Sequence, residues 1–292
     1  MSKSRSCGNE FEYFIARHFV NQNIPFGDVS SKEKFDRLKN ANIVLPTATA
    51  LSSSSWQPPP LPKYVSHLDS LFAKLQFKNI KSITLHPDTD GIKGRSADIS
   101  LTTDTDIKYI SCKNNNTSIK HPRPNALPTQ TKMNIADTTA YHQEYAQLND
   151  SYYNTFETQK LTKFSDIPLA DKEKMYLKFN QLTVKYIAKL TGEQIAHLFT
   201  FIMSCDKTYI ISNDTKKKKF VVYDYVNTQI PTTIKSVTCN GKNIKIEFGN
   251  NAKINMRIHN ASKQITKTLS LKYDTKVENM LNLFTTFEES YH

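Results

Sequence analysis

The 292-residue sequence has no long hydrophobic run. Its most apolar stretch, IAHLFTFIM at 195–203, is about half of the roughly 18 residues that a membrane span requires. No spanning helix is expected. The opening MSKSRSCGNEFEYF carries basic residues but no apolar h-region before an acidic helix begins, which points to an unexported, cytoplasmic protein. Cysteine is scarce. Cys7, Cys112, Cys205 and Cys239 are scattered, with no CxxC pair and no histidine at zinc-finger spacing, so they read as reduced thiols. The length by itself excludes a peptide hormone or a disulfide miniprotein and leaves room for one large domain or two ordinary ones. No repeat at a period of 20–50 residues appears, and no clean linker divides the halves. Acidic residues are also few: 27 Asp plus Glu face 39 Lys plus Arg, giving a net charge of +12. Such an excess calls for a polyanion or an anionic membrane, and without a basic amphipathic helix the nucleic acid leads. Apolar residues reach only 38 %, yet 16 Phe and 14 Tyr are far too many for a disordered chain.

Residues 9–21, NEFEYFIARHFVN, place Phe11, Phe14, Ile15 and Phe19 on one helical stripe bordered by Glu10 and Glu12. His18 falls on that stripe and reads as a packed core histidine. Residues 44–63 are Pro- and Ser-rich and predict a long loop. Helical spacing returns over 64–77, followed by two strands in ITLHPDTDGIKGRSADISL and DIKYISCKNN. From about 134 to 203 the pattern is helical again, with one start near Asp166 or Pro168. After 206 the period becomes two, and the turns NDTKKKK, Asn240-Gly241 and GNNA predict a meander of about five strands, closed by a helix near 276–287. The class is α/β in the broad sense, an α+β or mixed α/β chain.

The strongest chemical signal lies in SADISLTTDTDIKYISCKNN. If strands 97–103 and 106–113 form a hairpin closed by residues 103 and 106, opposed residues have numbers that sum to 209, and Asp98 faces Ser111. Asp98, Ser111 and Lys113 then share one face and Cys112 points to the other. A one-residue slip would separate them. Cutting a phosphodiester needs a divalent cation at the scissile phosphate and a cationic group to orient or activate water. Asp98 and Lys113 suit those roles. Mg²⁺ takes one or two carboxylates and oxygen donors such as a backbone carbonyl, here that of Cys112. In the nuclease pattern of an acid followed by acid-x-Lys, position 111 would be acidic, but it is Ser111, so a second acid must come from elsewhere. Glu12 is the first choice, Glu10 the substitute and Glu144 the third candidate. The bland alternative is an exposed hairpin ion pair beside a solvated Glu12.

The stretches GNEFEYF, DGIKGRSADISL, YISCKNNNTSIKHPRP and KINMRIHNASK, in this order, resemble the HaeIII-type family of type II restriction endonucleases, with a weaker match around FSDIPLADKEKMY. The resemblance spans most of residues 8–275. It implies a PD-(D/E)XK-like nuclease core with a mixed central sheet flanked by helices, Mg²⁺ dependence, and cleavage of double-stranded GGCC to blunt ends with 5′-phosphate and 3′-hydroxyl. It puts Asp98 and Lys113 on the nuclease motif and Glu12 on the acid of the N-terminal helix; Ser111 departs from the pattern. The expected division is a nuclease core with helical insertions over 1–205 and a β-rich DNA-recognition part over 206–292, or a single domain. A palindromic site requires two copies of an active site, as in a homodimer, or one that acts twice. A neighbouring gene for a DNA cytosine methyltransferase would be the expected genetic partner.

Lys93 and Arg95 precede Asp98, and Lys120, His121 and Arg123 follow Lys113; these are the expected backbone-clamp cations. Asn114 and Lys263 join the DNA-contacting set. Lys216 to Lys219 read as a basic hairpin tip. In NMRIHNASK, alternation points Arg257 and His259 one way and Met256, Ile258 and Asn260 the other. Arg257 is the expected guanine reader, with His259 and Asn260 beside it. The structural alternative has Asn260 ending the strand and His259 satisfied by backbone. Two other functions stay open: a DNA-binding protein that does not cut, and an RNA-directed nuclease.

Overall fold

A computed structural model describes residues 3–42, 62–87, 97–114, 120–203, 208–224, 229–279 and 285–291. In chain order, the first elements are α1 (Lys3–Val20), α2 (Val29–Asn42), α3 (Leu68–Leu75), β1 (Ser82–Leu85), β2 (Ile99–Thr102) and β3 (Ile107–Asn114). Four helices follow: α4 (Leu127–Thr131), α5 (Ile135–Thr158), α6 (Leu169–Ile187) and α7 (Gly192–Met203). The remainder is extended: β4 (Thr208–Asp214), β5 (Lys219–Asp224), β6 (Ile234–Asn240), β7 (Asn243–Phe248), β8 (Lys253–Asn260), β9 (Leu271–Val277) and β10 (Thr285–Ser290). The chain is a mixed α+β protein. It forms two compact units, both discontinuous in sequence: 1–117 with 206–227 and 284–292, and 118–205 with 228–283.

The first unit is built on a six-stranded mixed sheet in the order β1-β2-β3-β4-β5-β10. β1, β2 and β3 pair antiparallel, β3 and β4 parallel, and β4, β5 and β10 antiparallel again. α1 packs on β3, β1 and α2 through the predicted stripe: Phe11 and Ile15 are fully buried, and Phe14 and Phe19 nearly so. The Phe11 ring stacks on Phe220 of β5 with centroids 6.0 Å apart. His18 is packed as expected. Its ring stacks on Phe72 at 4.7 Å, with Nδ1 3.0 Å from Asp69 and Nε2 3.0 Å from Gln22. The sequence reading passed over α2, whose inward side carries Phe35 and Leu38.

The second unit holds an antiparallel sheet in the order β6-β7-β8-β9, with α6 packed against β6, β7 and β8. Alternation divides the sheet as the period of two requires. Ile244, Ile246, Ile254, Met256, Ile258 and Tyr273 are buried on one face, while Lys245, Lys253, Arg257 and Lys276 are exposed on the other. The β6–β7 hairpin turns at Gly241-Lys242, between the paired Asn240 and Asn243, and Gly241 has φ +53°, a left-handed conformation that glycine adopts without strain.

Two expectations are corrected. The strands after 206 do not form one meander: β4 and β5 belong to the first sheet, alongside β3, and only β6 to β9 form the meander. Among the described residues, no helix closes the chain near 276–287. Residues 276–277 end β9, and Thr285–Ser290 form β10 on β5; ladder hydrogen bonds from neighbouring strands override the local helical spacing there. Most of the Pro- and Ser-rich loop falls in 43–61, outside the described residues.

Candidate active site

The hairpin takes the register that the sequence predicted. Ile99 pairs with Ile110 and Thr102 with Ile107, and Thr103 N–H donates to the Asp106 carbonyl at 2.9 Å to close the turn. Asp98 therefore sits opposite Ser111 at the end of β2. Its N–H donates to the Ile110 carbonyl at 2.9 Å, while Oδ2 accepts from the Ser111 hydroxyl at 3.2 Å and from the Cys112 N–H at 2.6 Å. Ser111, only 1 % exposed, thus meets Asp98 as a donor, and it spares Asp98 the repulsion that a carboxylate directly across the ladder would bring.

Cys112 turns to the other face, where it packs against the core beneath α1. Burial pushes its thiol well above the usual value; the charges of Asp98 and Glu12 push the same way, and those of Lys113 and Lys34 oppose them. Four charged side chains thus act on this one residue. Two of them lie on the hairpin, one comes from α1 and one from α2. Lys113, half-buried on β3, pairs in register with the buried Ser212 of β4. One residue on, Asn114 Oδ1 accepts from Asn213 Nδ2 at 3.3 Å.

Glu12 is 6 % exposed and is held by Lys34, whose Nζ lies 2.6 Å from Oε1. Lys34 Nζ also donates to the His86 carbonyl at 2.5 Å, and His86 N–H in turn donates to the Asp98 carbonyl at 2.9 Å. His86 Nε2 is 3.1 Å from Ser100 Oγ. Neither Lys34 nor His86 was singled out from the sequence. Lys34 directly precedes the buried Phe35, but a lysine in SKEKFDRLK gives no local sign that it turns inward. Glu10 is half-buried, which raises its carboxyl above the usual range. Glu144 belongs to the second unit. There Lys185 Nζ donates to both its oxygens at 2.7 Å and the Tyr186 hydroxyl donates at 2.9 Å, and the Lys185 bond above all holds its pKa down. Mg²⁺ takes oxygen donors of the kind that the Asp98 and Glu12 carboxylates carry. Among the described residues, no group of three His, Cys, Asp or Glu could hold a metal.

The predicted DNA-contacting residues have varied surroundings. Lys93 and Arg95 lie outside the described residues. Lys120 is not the surface clamp expected: it is 7 % exposed, and its ammonium lies 4.5 Å from the centre of the Phe201 ring. Arg123 and Lys263 are exposed, and Arg123 Nη1 donates to Ser270 Oγ at 3.4 Å. At the expected hairpin tip, Lys216, Lys217 and Lys218 are exposed and the N–H groups of Lys216 and Lys217 bond to Asp214 Oδ1, whereas Lys219 lies on β5, 2.5 Å from Glu288. Arg257 and His259 share the polar face of β8, as alternation required, and they converge with His121 on Asp274 of β9. Arg257 Nη2 lies 2.9 Å from Oδ2, and His259 Nε2 and His121 Nδ1 lie 2.9 and 3.0 Å from Oδ1. Burial raises the Asp274 carboxyl, but hydrogen bonds from Arg257 and His259, with the charges of His259 and His121, outweigh it and hold the group below the usual range. Asn260 ends β8. Its Nδ2 donates to the Ser262 carbonyl at 2.6 Å, and its own carbonyl lies 2.9 Å from His259 Nδ1. Asp274 is a partner the sequence did not reveal, because the loop between β8 and β9 hides their register. No protein-family model and no curated protein sequence matches the chain.

Among the described residues no helix is long and apolar enough to cross a membrane.

Proposed function

We propose that the protein is a Mg²⁺-dependent endonuclease that cuts double-stranded DNA at a short palindromic site, a type II restriction enzyme with a PD-(D/E)XK-like core. The observation that carries this reading is the β2–β3 hairpin, where Asp98 is fixed across from Ser111 by the Ser111 hydroxyl and the Cys112 N–H. Asp98 and Glu12 would hold the metal, which supplies charge neutralisation at the scissile phosphate and acidifies a water. Lys113 orients that water and stabilises charge developing on the phosphate oxygens. Ser111 and the Cys112 N–H fix Asp98 through Oδ2, so its carboxylate stands ready without reorganising. The site GGCC, the blunt ends with 5′-phosphate and 3′-hydroxyl, and a methyltransferase encoded nearby follow from the family resemblance alone. A homodimer would bring two such centres to a palindrome. A second reading, a DNA-binding protein that does not cut, draws on the exposed cationic face of β7, β8 and β9. One experiment separates the two: incubation with unmethylated plasmid and Mg²⁺, followed by sequencing of the ends. Discrete blunt ends at one short palindrome support the nuclease; retention of intact plasmid on the protein supports the second reading.

A further inference from the structure

Lys34 and Glu12 form an ion pair in which both side chains are more than nine-tenths buried. Such a pair gives up the hydration of both charges, and apolar side chains of the same volume often serve stability as well or better. Stability therefore does not account for it, and its surroundings suggest another role. The Lys34 ammonium is tied to the His86 carbonyl, His86 N–H to the Asp98 carbonyl, and the charges of Lys34 and Glu12 both act on Cys112, as do those of Asp98 and Lys113. Lys34 thus belongs to the candidate catalytic centre, although α2 contributes nothing to the motif read from the sequence. Lys34 also lines a cleft of about 540 Å³ with Ser30, Glu33, Arg37, Leu85 and Pro87. An ammonium displaced from Glu12 has space to enter beside Ser30 and Glu33.

The geometry points to Lys34 as a built-in cation that holds the Glu12 carboxylate in place without metal, and that competes with a divalent ion for it. The inference rests on the nuclease reading, in which Glu12 is a metal ligand. A carboxylate with an ammonium 2.6 Å from one oxygen binds a second cation only against the repulsion between the two, or after the first has moved away. Lys34 is in this sense a positioning residue: it acts through Glu12 and sets how tightly metal binds.

Calorimetric titration of the full chain with Ca²⁺ at pH 8.5 tests the point without any cleavage. Lys34→Met should bind Ca²⁺ about tenfold tighter than the unaltered protein, or more, because the competing charge is gone. Lys34→Arg retains the charge and should stay within about threefold of the unaltered protein. Lys34→Gln keeps a donor toward Glu12 and His86 and carries the same expectation as methionine should that variant fail to fold. A protein that binds Ca²⁺ but gains no affinity in Lys34→Met or Lys34→Gln overturns the role of Lys34 and leaves the nuclease reading intact. Absence of Ca²⁺ binding in every form overturns both.

Discussion

Asp98 commits one oxygen, Oδ2, to two donors of the strand it faces, so the side chain has a single orientation before any ligand arrives. Removing it should abolish cleavage while sparing the affinity for DNA, since in the proposed mechanism it acts on a metal rather than on bases. Asp98→Ala and Lys113→Ala are each expected to lose on the order of 10²–10⁴ in cleavage rate. Plasmid cutting in Mg²⁺ and filter binding in Ca²⁺ read the two effects separately, and full cutting by either variant would remove the site assignment. His18 makes a different kind of prediction. Burial lowers its pKa from the ordinary 6.5, against the opposing pull of Asp69. The unfolded chain therefore takes up this proton at higher pH than the folded one, so the contribution is present above about pH 6.5 and is lost as pH falls toward the depressed folded value. Within that window the slope is at most about 1.4 kcal/mol per pH unit. Urea unfolding at pH 8 and pH 5 should show His18→Phe losing less stability on acidification than the unaltered protein; equal losses would count against the assignment.

Among elements, β8 and β9 are set in a register that brings Arg257 to Asp274, the pair proposed to serve recognition. A guanidinium held by a carboxylate has its direction fixed and part of its charge neutralised. Arg257→Ala should cost about 1–3 kcal/mol in cognate binding and narrow the gap to a single-base variant. Asp274→Asn should strengthen binding to every duplex while reducing discrimination. Competition binding with paired oligonucleotides measures both, and an equal loss on cognate and variant DNA for Arg257→Ala would reassign it to phosphate contact. The β2–β3 hairpin was legible in the sequence because its evidence is local: a period of two on both arms, a polar turn between them, and so a register that puts Asp98 against Ser111. The α1 stripe was legible for the same reason. What stayed hidden depends on partners far along the chain. β4 lies parallel to β3 only after the connection through 118–205, and β10 takes its extended form from β5. Lys34 and Lys120 are turned inward by Glu12 and Phe201, which nothing in the flanking residues indicates.

For the molecule as a whole, the charge of +12 is the property most open to a direct test. If it is a DNA footprint, binding releases one set of counterions per phosphate neutralised, and log affinity falls against log salt with a slope of about −0.9 per contact. Five or more contacts give roughly −4.5 or steeper, measured in Ca²⁺ to suppress cutting. A slope near −1 would assign the charge to solubility or to another polyanion. The division into two interleaved units has a consequence for how the chain is made. The second unit is complete once residue 283 has been synthesised, whereas the first begins with α1 and lacks an edge of its sheet until β10 pairs with β5. Contacts between segments distant in sequence form slowly. Until they form, β5 presents an open strand edge, the kind of surface on which chains aggregate. The unit that holds α1 thus has its sheet edge closed by a strand that lies after the whole of the second unit in the sequence.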